Sequence, residues 1–251
     1  MRKIYKVGQI VPSSNTTMET EIPAMLHARQ LILPEKFTFH ASRMRMKHVT
    51  KEELAKMDAD SDRCALELSD AKVDVLGYAC LVAIMSMGLG YHRQSEQRLG
   101  EVAKVNDSVA PVVTSAGALI DALNIMKAKK VAVVTPYMKP LTAMVVEYIE
   151  HEGFDVVDSV ALEISDNLAV AAHDPERLPE IVAEQLKYHD ADVIVLSACV
   201  QMPSLPAIAK VEALTGKPVI SAAVATTYKI LKALDLKAIV PGAGALLSGA
   251  Y

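Results

Sequence analysis

Residues 6–13 read KVGQIVPS, and the same pattern returns in the second part of the chain, where residues 130–137 read KVAVVTPY. Each copy is a short run of β-branched and small apolar residues that is closed by a proline, Pro12 or Pro136. Proline has no backbone N–H to offer a neighbouring strand, so it typically marks where a strand ends. The two copies therefore predict two equivalent strands.

Two further blocks repeat in the same order. VDVLGYAC at residues 73–80 recurs, with one residue inserted, as ADVIVLSAC at residues 191–199. PVVTSA at residues 111–116 recurs as PVISAA at residues 218–223. Three repeated blocks in one order indicate an internal duplication, because such self-similarity is the signature of repeated structural units. We expect two similar halves related by a pseudo-twofold axis.

Short β-branched runs alternate with longer amphipathic segments along the chain. One such segment, Lys51 to Ala71, repeats apolar residues at the spacing of a single buried helical face. Strands that alternate with helices predict an α/β fold, with mostly parallel sheets that are flanked by helices. The predicted strands are Tyr5 to Val11, Phe37 to Ala41, Val73 to Ala79, Ala110 to Val113, Val131 to Thr135, Phe154 to Val160, Val193 to Ser197 and Pro218 to Ile220.

The repeats also suggest domain boundaries. The seam between the halves falls near residues 115–130, where no Pro/Gly/Ser-rich linker separates them. We expect a first α/β domain of residues 1–115 plus 222–251 and a second of residues 116–221. Without a flexible linker the halves should pack closely around a cleft, and ligands of parallel sheets bind beyond the carboxyl ends of the strands.

Composition excludes several classes of function. The chain has 251 residues, of which 51% are apolar and 22% charged, with a net charge of −4, no Trp and three Phe. A nucleic-acid-binding protein normally has a basic stripe with stacking aromatics, and neither is visible. The longest uncharged run, residues 75–92, is interrupted by glycines and is too short to span a membrane. The N-terminus lacks the apolar core of a secretory signal, so we expect a cytoplasmic protein.

The three cysteines, Cys64, Cys80 and Cys199, are an odd number without CxxC spacing, which favours free thiols over disulfides or a zinc site. Cys64 lies within the helical segment and is interpreted as a core residue. Cys80 and Cys199 instead end the two copies of one repeat block. A pseudo-twofold axis would bring these two thiols to opposite walls of one cleft, where a thiolate could act as a nucleophile.

Backbone N–H groups after a strand can stabilise a thiolate, and Leu81, Val82 and Val200 would supply them. Asn15, Tyr137 and Asn167 also follow strand ends and could bind a ligand. Each of the three has a purely structural alternative, because the two asparagines stand where helix N-caps belong and the tyrosine could simply pack.

Motifs for other chemistries are missing. Residues 88–90 and 242–244 each read Gly-X-Gly without the third glycine of a dinucleotide-binding loop, and there is no GxxxxGK[ST] loop or HExxH helix. The seven histidines are scattered. We therefore expect thiol chemistry with no cofactor and no metal.

At these residues the chain resembles the maleate cis–trans isomerase branch of the aspartate/glutamate racemase superfamily. The paired cysteines are typical of the superfamily, whereas VPSSN at residues 11–15, TPY at residues 135–137 and SDN at residues 165–167 resemble the isomerase branch. The resemblance implies that Cys80 is the nucleophile and Cys199 its partner thiol, and that the carboxylates of the substrate are bound by Asn15, Tyr137 and Asn167. It also implies two pseudosymmetric domains, a homo-oligomer such as a homodimer, and a C-terminal segment that returns to the first domain.

On this hypothesis, the Cys80 thiolate adds to the double bond of maleate, the bond rotates, and expulsion of the thiolate gives fumarate. Two alternatives stay open. An amino-acid racemase would use the same two thiols to move an α-proton, but it needs a partner for the substrate ammonium group. A two-lobed binding protein without turnover would not require two matched thiols.

Overall fold

Two four-stranded parallel sheets form the centre of the computed structural model, which describes residues 3–47 and 50–251. The first sheet has the order β2-β1-β3-β4 and the second the order β6-β5-β7-β8, so the two halves share one topology. The strands are β1 (Ile4–Pro12), β2 (Lys36–Met44), β3 (Val75–Tyr78), β4 (Val112–Thr114), β5 (Lys130–Thr135), β6 (Asp155–Ala161), β7 (Val193–Ser197) and β8 (Val219–Ser221).

The predicted α/β architecture with two related halves is confirmed, and each of the eight predicted strands is present with ends shifted by at most a few residues. The largest shift is in β2, which continues to Met44 beyond its predicted end at Ala41. The helices are α1 (Met18–Arg29), α2 (Lys51–Asp70), α3 (Leu81–Ser86), α4 (Tyr91–Ala103), α5 (Ser115–Ile125), α6 (Lys139–His151), α7 (Asn167–Ala171), α8 (Leu178–Gln185), α9 (Leu205–Thr215) and α10 (Ala222–Ala233).

A repeated aspartate anchors the start of the central strands in both halves. Asp74 accepts a 2.7 Å hydrogen bond from the backbone N–H of Lys6, and its own N–H donates to Lys6 O at 2.9 Å. Asp192 does the same in the second half, where it accepts from the N–H of Lys130 at 2.9 Å and donates to Lys130 O at 2.8 Å. The sequence repeat therefore preserves the register of the strands as well as their order.

Strands β3 and β7, each an inner strand of its sheet, are buried along their whole length. Helices cover both faces of such strands, which is why their sequences are nearly continuous apolar runs. Helices α5 and α10 pack against each other and join the halves. They begin at equivalent points, since Thr114 caps α5 and Ser221 caps α10 by accepting from the backbone N–H three residues later.

The C-terminal part of the chain reaches the first half again. Helix α10 packs against α1 as well as α5, and the Arg29 guanidinium donates to Ile239 O at 3.1 Å. Within the two described ranges, each helix is too short or too polar to cross a membrane.

Candidate active site

Cys80 and Cys199 lie just beyond the carboxyl ends of β3 and β7, each two residues after its strand. They line the same cavity, to which both halves contribute, and are only 9% and 7% exposed. Cys64 lies elsewhere, fully buried on the inner face of α2, as the helical spacing predicted. The fold thus brings together the two thiols of the repeat and keeps the third apart.

About 320 Å³ of space without protein atoms, part of it open to solvent, lies between the lining residues. All eight residues singled out in the sequence line it: Asn15, Cys80, Leu81, Val82, Tyr137, Asn167, Cys199 and Val200. Four lining residues were not predicted: Pro12, Met46, Ala79 and Gln201. Pro12 and Ala79 lie at the carboxyl ends of β1 and β3, within repeat blocks, whereas neither Met46 nor Gln201 belongs to a repeat block.

Burial disfavours the charged form of both thiols. Removal from water raises the pKa of Cys80 to about 12, against an ordinary value of 9.0, and the nearby Cys199 and Asp58 add to this effect. Burial also raises the pKa of Cys199. Hydrogen bonds oppose the rise at both sulfurs, from the backbone N–H of Ala83 at Cys80 and from the Tyr137 hydroxyl at Cys199. Both sulfurs are therefore protonated at neutral pH.

The backbone donors to the sulfurs are not those named from the sequence. The N–H of Ala83 donates to Cys80, and those of Gln201 and Met202 donate to Cys199. The donors therefore lie two or three residues after each cysteine. Leu81 and Val82 occupy the first turn of α3, where backbone N–H groups have no acceptor inside the helix. Those two groups remain available to an anionic ligand in the cavity.

Asn15 combines the two roles that the sequence left open. Its Oδ1 accepts hydrogen bonds of 3.0 Å from the backbone N–H groups of Thr17 and Met18, at the start of α1. This fixes the carboxamide by its oxygen, and no group within the described part of the chain accepts from its Nδ2. The residue is 3% exposed and lines the cavity, so its amide N–H₂ is a fixed donor for a ligand.

Asn167 is the first residue of α7 and not its N-cap. The cap is Asp166, whose Oδ1 accepts from the N–H of Ala169 at 2.7 Å. The Asn167 side chain instead donates from Nδ2 to the Ser14 hydroxyl at 2.8 Å, across the boundary between the halves. Because Asp166 already provides the cap, the Asn167 amide is free to face the cavity.

Tyr137 is buried directly after Pro136, and its hydroxyl donates to Ala198 O at 3.3 Å. The hydroxyl also faces the Cys199 sulfur, to which its one proton can turn, and this interaction lowers the pKa of the thiol. Burial raises the pKa of Tyr137 well above its ordinary value, so the phenol keeps its proton. It is a neutral donor beside one of the two thiols.

The lining contains neither a cationic nor a carboxylate side chain among the described residues. Neutral donors are supplied by Asn15, Tyr137 and Asn167 and by the N–H groups in the first turn of α3. His, Cys, Asp and Glu side chains within residues 3–47 and 50–251 form no group of three that could hold a metal ion. The arrangement suits a small anion beside two thiols, because fixed neutral dipoles stabilise negative charge in a site removed from water.

Fold and site together define a class of protein, in which two duplicated parallel sheets place a pair of thiols in one cavity between them. The chain belongs to the arylmalonate decarboxylase family, whose sequence profile matches residues 7–247, and within that family to the maleate isomerases. It is 73% identical to a maleate isomerase of Pseudomonas putida over the full length of both chains. A maleate isomerase of Geobacillus stearothermophilus is 63% identical, again over both full lengths.

Solved structures agree with this placement. The chain superimposes with a TM-score of 0.98 on a cysteine-to-alanine variant of a maleate isomerase from Pseudomonas putida S16, crystallised with maleate, at 71% identity over 99% of each chain. A cysteine-to-serine variant of the Nocardia farcinica maleate cis–trans isomerase carries a covalently bound succinylcysteine intermediate. It matches with a TM-score of 0.94 at 46% identity, over 99% of this chain and 100% of that one. An arylmalonate decarboxylase variant at 21% identity shares the fold, with a TM-score of 0.83 over 96% of this chain and 98% of its own.

Proposed function

We propose that this protein converts maleate to fumarate by reversible addition of a cysteine thiolate to the double bond. The observation that carries the proposal is the cavity itself, in which two buried thiols from equivalent strand ends face neutral hydrogen-bond donors from both halves. Maleate is a small dianion with an electron-poor double bond, so it fits the donors and reacts with the thiols. Relatives with 47–73% identity over nearly the whole chain are maleate isomerases.

In the proposed mechanism, Cys80 transfers its proton to a carboxylate of the bound maleate and recovers it when the thiolate is released. The Cys80 sulfur bonds to one olefinic carbon. The π-electron pair moves to the neighbouring carbon and is delocalised onto the adjacent carboxylate. The former double bond is now single and rotates. When the electron pair returns, the carbon–carbon double bond is restored as trans, the carbon–sulfur bond breaks, and the thiolate leaves. Cys199 stabilises the developing charge by hydrogen bonding, on the opposite side of the substrate from Cys80.

The substrate carboxylates are held by the amides of Asn15 and Asn167 and by the Tyr137 hydroxyl, whose one proton turns from Ala198 O to the substrate. The N–H groups of Leu81, Val82 and Val200 complete the set of donors. Neutral donors suit this reaction, since they can follow negative charge as it moves from the sulfur to the far carboxylate without fixing it at one end. The cavity excludes bulk water, which would otherwise protonate or hydrate the intermediate.

The remaining parts of the proposal concern the whole molecule. The domain boundaries of residues 1–115 plus 222–251 and 116–221 are supported by the packing of α10 on α1 and by the contact of Arg29 with Ile239. Three free thiols favour a reducing compartment, and hence the cytoplasm. Light scattering of the purified protein tests the proposed homodimer.

An amino-acid racemase is the nearest rival. It would use the same pair of thiols, but its substrate carries an ammonium group that needs a carboxylate or another acceptor. The cavity lining within the described residues offers no carboxylate. The proposal therefore keeps a dicarboxylate without an amino group as the substrate.

A proton NMR time course of the purified protein with maleate, after exhaustive EDTA treatment, tests the function. We expect the olefinic signal of maleate to be replaced by that of fumarate without added metal or nucleotide. Activity that EDTA removes and a divalent ion restores would contradict the cofactor-free part of the proposal. Activity on aspartate or glutamate, with none on maleate, would favour the racemase.

A further inference from the structure

We infer that Gln201 is a positioning residue that sets the distance and orientation between the two asparagine amides of the cavity. The inference rests on the proposed function, because those amides are the donors assigned to the two substrate carboxylates. Gln201 is 3% exposed and lines the cavity. It lies two residues after Cys199 in the loop that follows β7.

The Gln201 carboxamide makes three hydrogen bonds with the protein, and together they join the two halves. Its Nε2 donates to Ser14 O and to Asn167 O, both at 2.9 Å. Its Oε1 accepts from the backbone N–H of Thr16 at 2.9 Å. Both hydrogens of the amide are therefore used by protein acceptors, so this side chain has no donor left for a substrate.

The partners of Gln201 lie next to the two asparagines. Ser14 and Thr16 flank Asn15 on either side, and the third partner is the carbonyl of Asn167 itself. One carboxamide thus fixes the backbone of both asparagines at once. Each half carries one of these two asparagines, so the Gln201 carboxamide, together with the bond from Asn167 Nδ2 to the Ser14 hydroxyl, holds the two amides in one arrangement across the boundary.

The main chain of Gln201 strengthens the same connection. Its carbonyl oxygen accepts a 2.7 Å hydrogen bond from the Thr17 hydroxyl, and its backbone N–H is directed to the Cys199 sulfur. A single residue therefore links the partner thiol, the Asn15 loop and the first residue of α7. A displacement of about 1 Å in such a constellation can cost about 100-fold in rate.

Only a primary amide fits this position, because the site requires two donors and one acceptor on one planar group. Gln201→Met keeps the length and volume but removes all three hydrogen bonds. Gln201→Glu keeps the acceptor, yet as a carboxylate it faces two carbonyl oxygens and donates to neither. When protonated, the same glutamic acid regains one donor, so its function should return in part at lower pH.

The test compares kcat and KM for maleate in the wild type, Gln201→Met and Gln201→Glu over a range of pH. We expect kcat/KM to fall roughly 100-fold in both variants at about pH 8. The ratio of Gln201→Glu to wild-type activity should rise as the pH falls toward about 6, because burial raises the pKa of a carboxyl group. The ratio for Gln201→Met should stay flat.

Glu21→Met is the matched control. Glu21 is buried and also tethers the halves, since it accepts from the N–H groups of Ser204 and Leu205 at 2.7 Å, but it does not line the cavity. We expect this variant to lose thermal stability and to keep the KM of the wild type. If Gln201→Met and Glu21→Met lower the melting temperature equally and both leave kcat/KM within about twofold of wild type, Gln201 is only a structural tether.

The two proposals fail in different ways. A wild-type protein that does not isomerise maleate contradicts the proposed function. A wild type that does so, with a flat activity ratio for Gln201→Glu across the pH range, contradicts the positioning role alone. Calorimetric titration of Gln201→Met with succinate, a dicarboxylate without a double bond, checks binding apart from chemistry, and unchanged affinity would also contradict that role.

Discussion

The Tyr137 hydroxyl faces the Cys199 sulfur inside the cavity and shares its one proton between that sulfur and Ala198 O. Burial raises the pKa of Cys199. The interaction with the phenol is the largest of those that lower this pKa. Tyr137 comes from the loop after β5 and Cys199 from the loop after the adjacent strand β7. The pairing of these strands therefore sets how strongly one thiol can support negative charge.

Tyr137→Phe should raise the pKa of Cys199 further and lower kcat. A hydrogen bond to a charged group contributes about 1.5–3 kcal/mol, which corresponds to a loss of about 10- to 100-fold. Steady-state kinetics give the loss, and thiol alkylation rates as a function of pH report the shift in ionisation. Unchanged alkylation and full turnover would show that the phenol serves neither the thiol nor the substrate.

The three cysteines should differ sharply when each is replaced by alanine. Cys80→Ala should abolish turnover, because the nucleophile is lost, and Cys199→Ala should reduce it strongly. Cys64→Ala is the internal control, since this thiol is buried on α2 away from the cavity and its loss should cost only modest stability. Initial rates of fumarate formation give the ranking, and full activity of Cys80→Ala would remove the nucleophile assignment.

The raised pKa of Cys80 makes stability depend on pH in the alkaline range. The folded protein holds this proton up to about pH 12, whereas an exposed thiol releases it near 9.0. The resulting stabilisation is complete below the lower value and is lost as the pH rises to the higher one. The melting temperature of the wild type should therefore fall more steeply over this window than that of Cys80→Ala. Parallel curves would show that Cys80 is not desolvated.

The fold could be predicted from the sequence because its signal is carried by local and repeated patterns. Proline-terminated apolar runs and the repeated Asp74 and Asp192 mark equivalent strands, and both thiols stand at the ends of repeat blocks. Gln201 gave no such signal. Its importance comes from hydrogen bonds to Thr16 and Asn167, which are distant in sequence and belong to both halves. A glutamine among apolar neighbours after a strand-end cysteine was the only local sign.

The sequence also could not predict which backbone N–H groups donate to the two cysteine sulfurs. That N–H groups would face the thiols follows from the strand-to-helix turn, but which residues supply them depends on the backbone conformation of each loop. The donors are Ala83 at Cys80, and Gln201 and Met202 at Cys199. Repeat alignment could not place them, because the loop after Cys80 is helical and the loop after Cys199 is not.

Fumarate formed in heavy water should carry no deuterium. If the carbon next to the adduct stays a carbanion delocalised into its carboxylate, the bond rotates before any proton arrives. A thiol is poorly matched in pKa to an α-proton beside a carboxylate. An adduct that has been protonated at this carbon would therefore lose the proton again only slowly. Mass spectrometry of fumarate from a single turnover decides this. One deuterium per molecule would make Cys199 a proton donor.

Peptide mass mapping tests whether maleate becomes covalently bound to Cys80. Cys199→Ser should be incubated with maleate, quenched with acid and digested, with Cys80→Ser/Cys199→Ser as the control. We predict that the peptide containing Cys80 gains the mass of one maleic acid molecule, and that the double variant gains none. The assignment of Cys80 as the nucleophile would be contradicted if the protein forms fumarate while Cys80 stays unmodified in every quenched sample. An adduct found on Cys64 would contradict it as well.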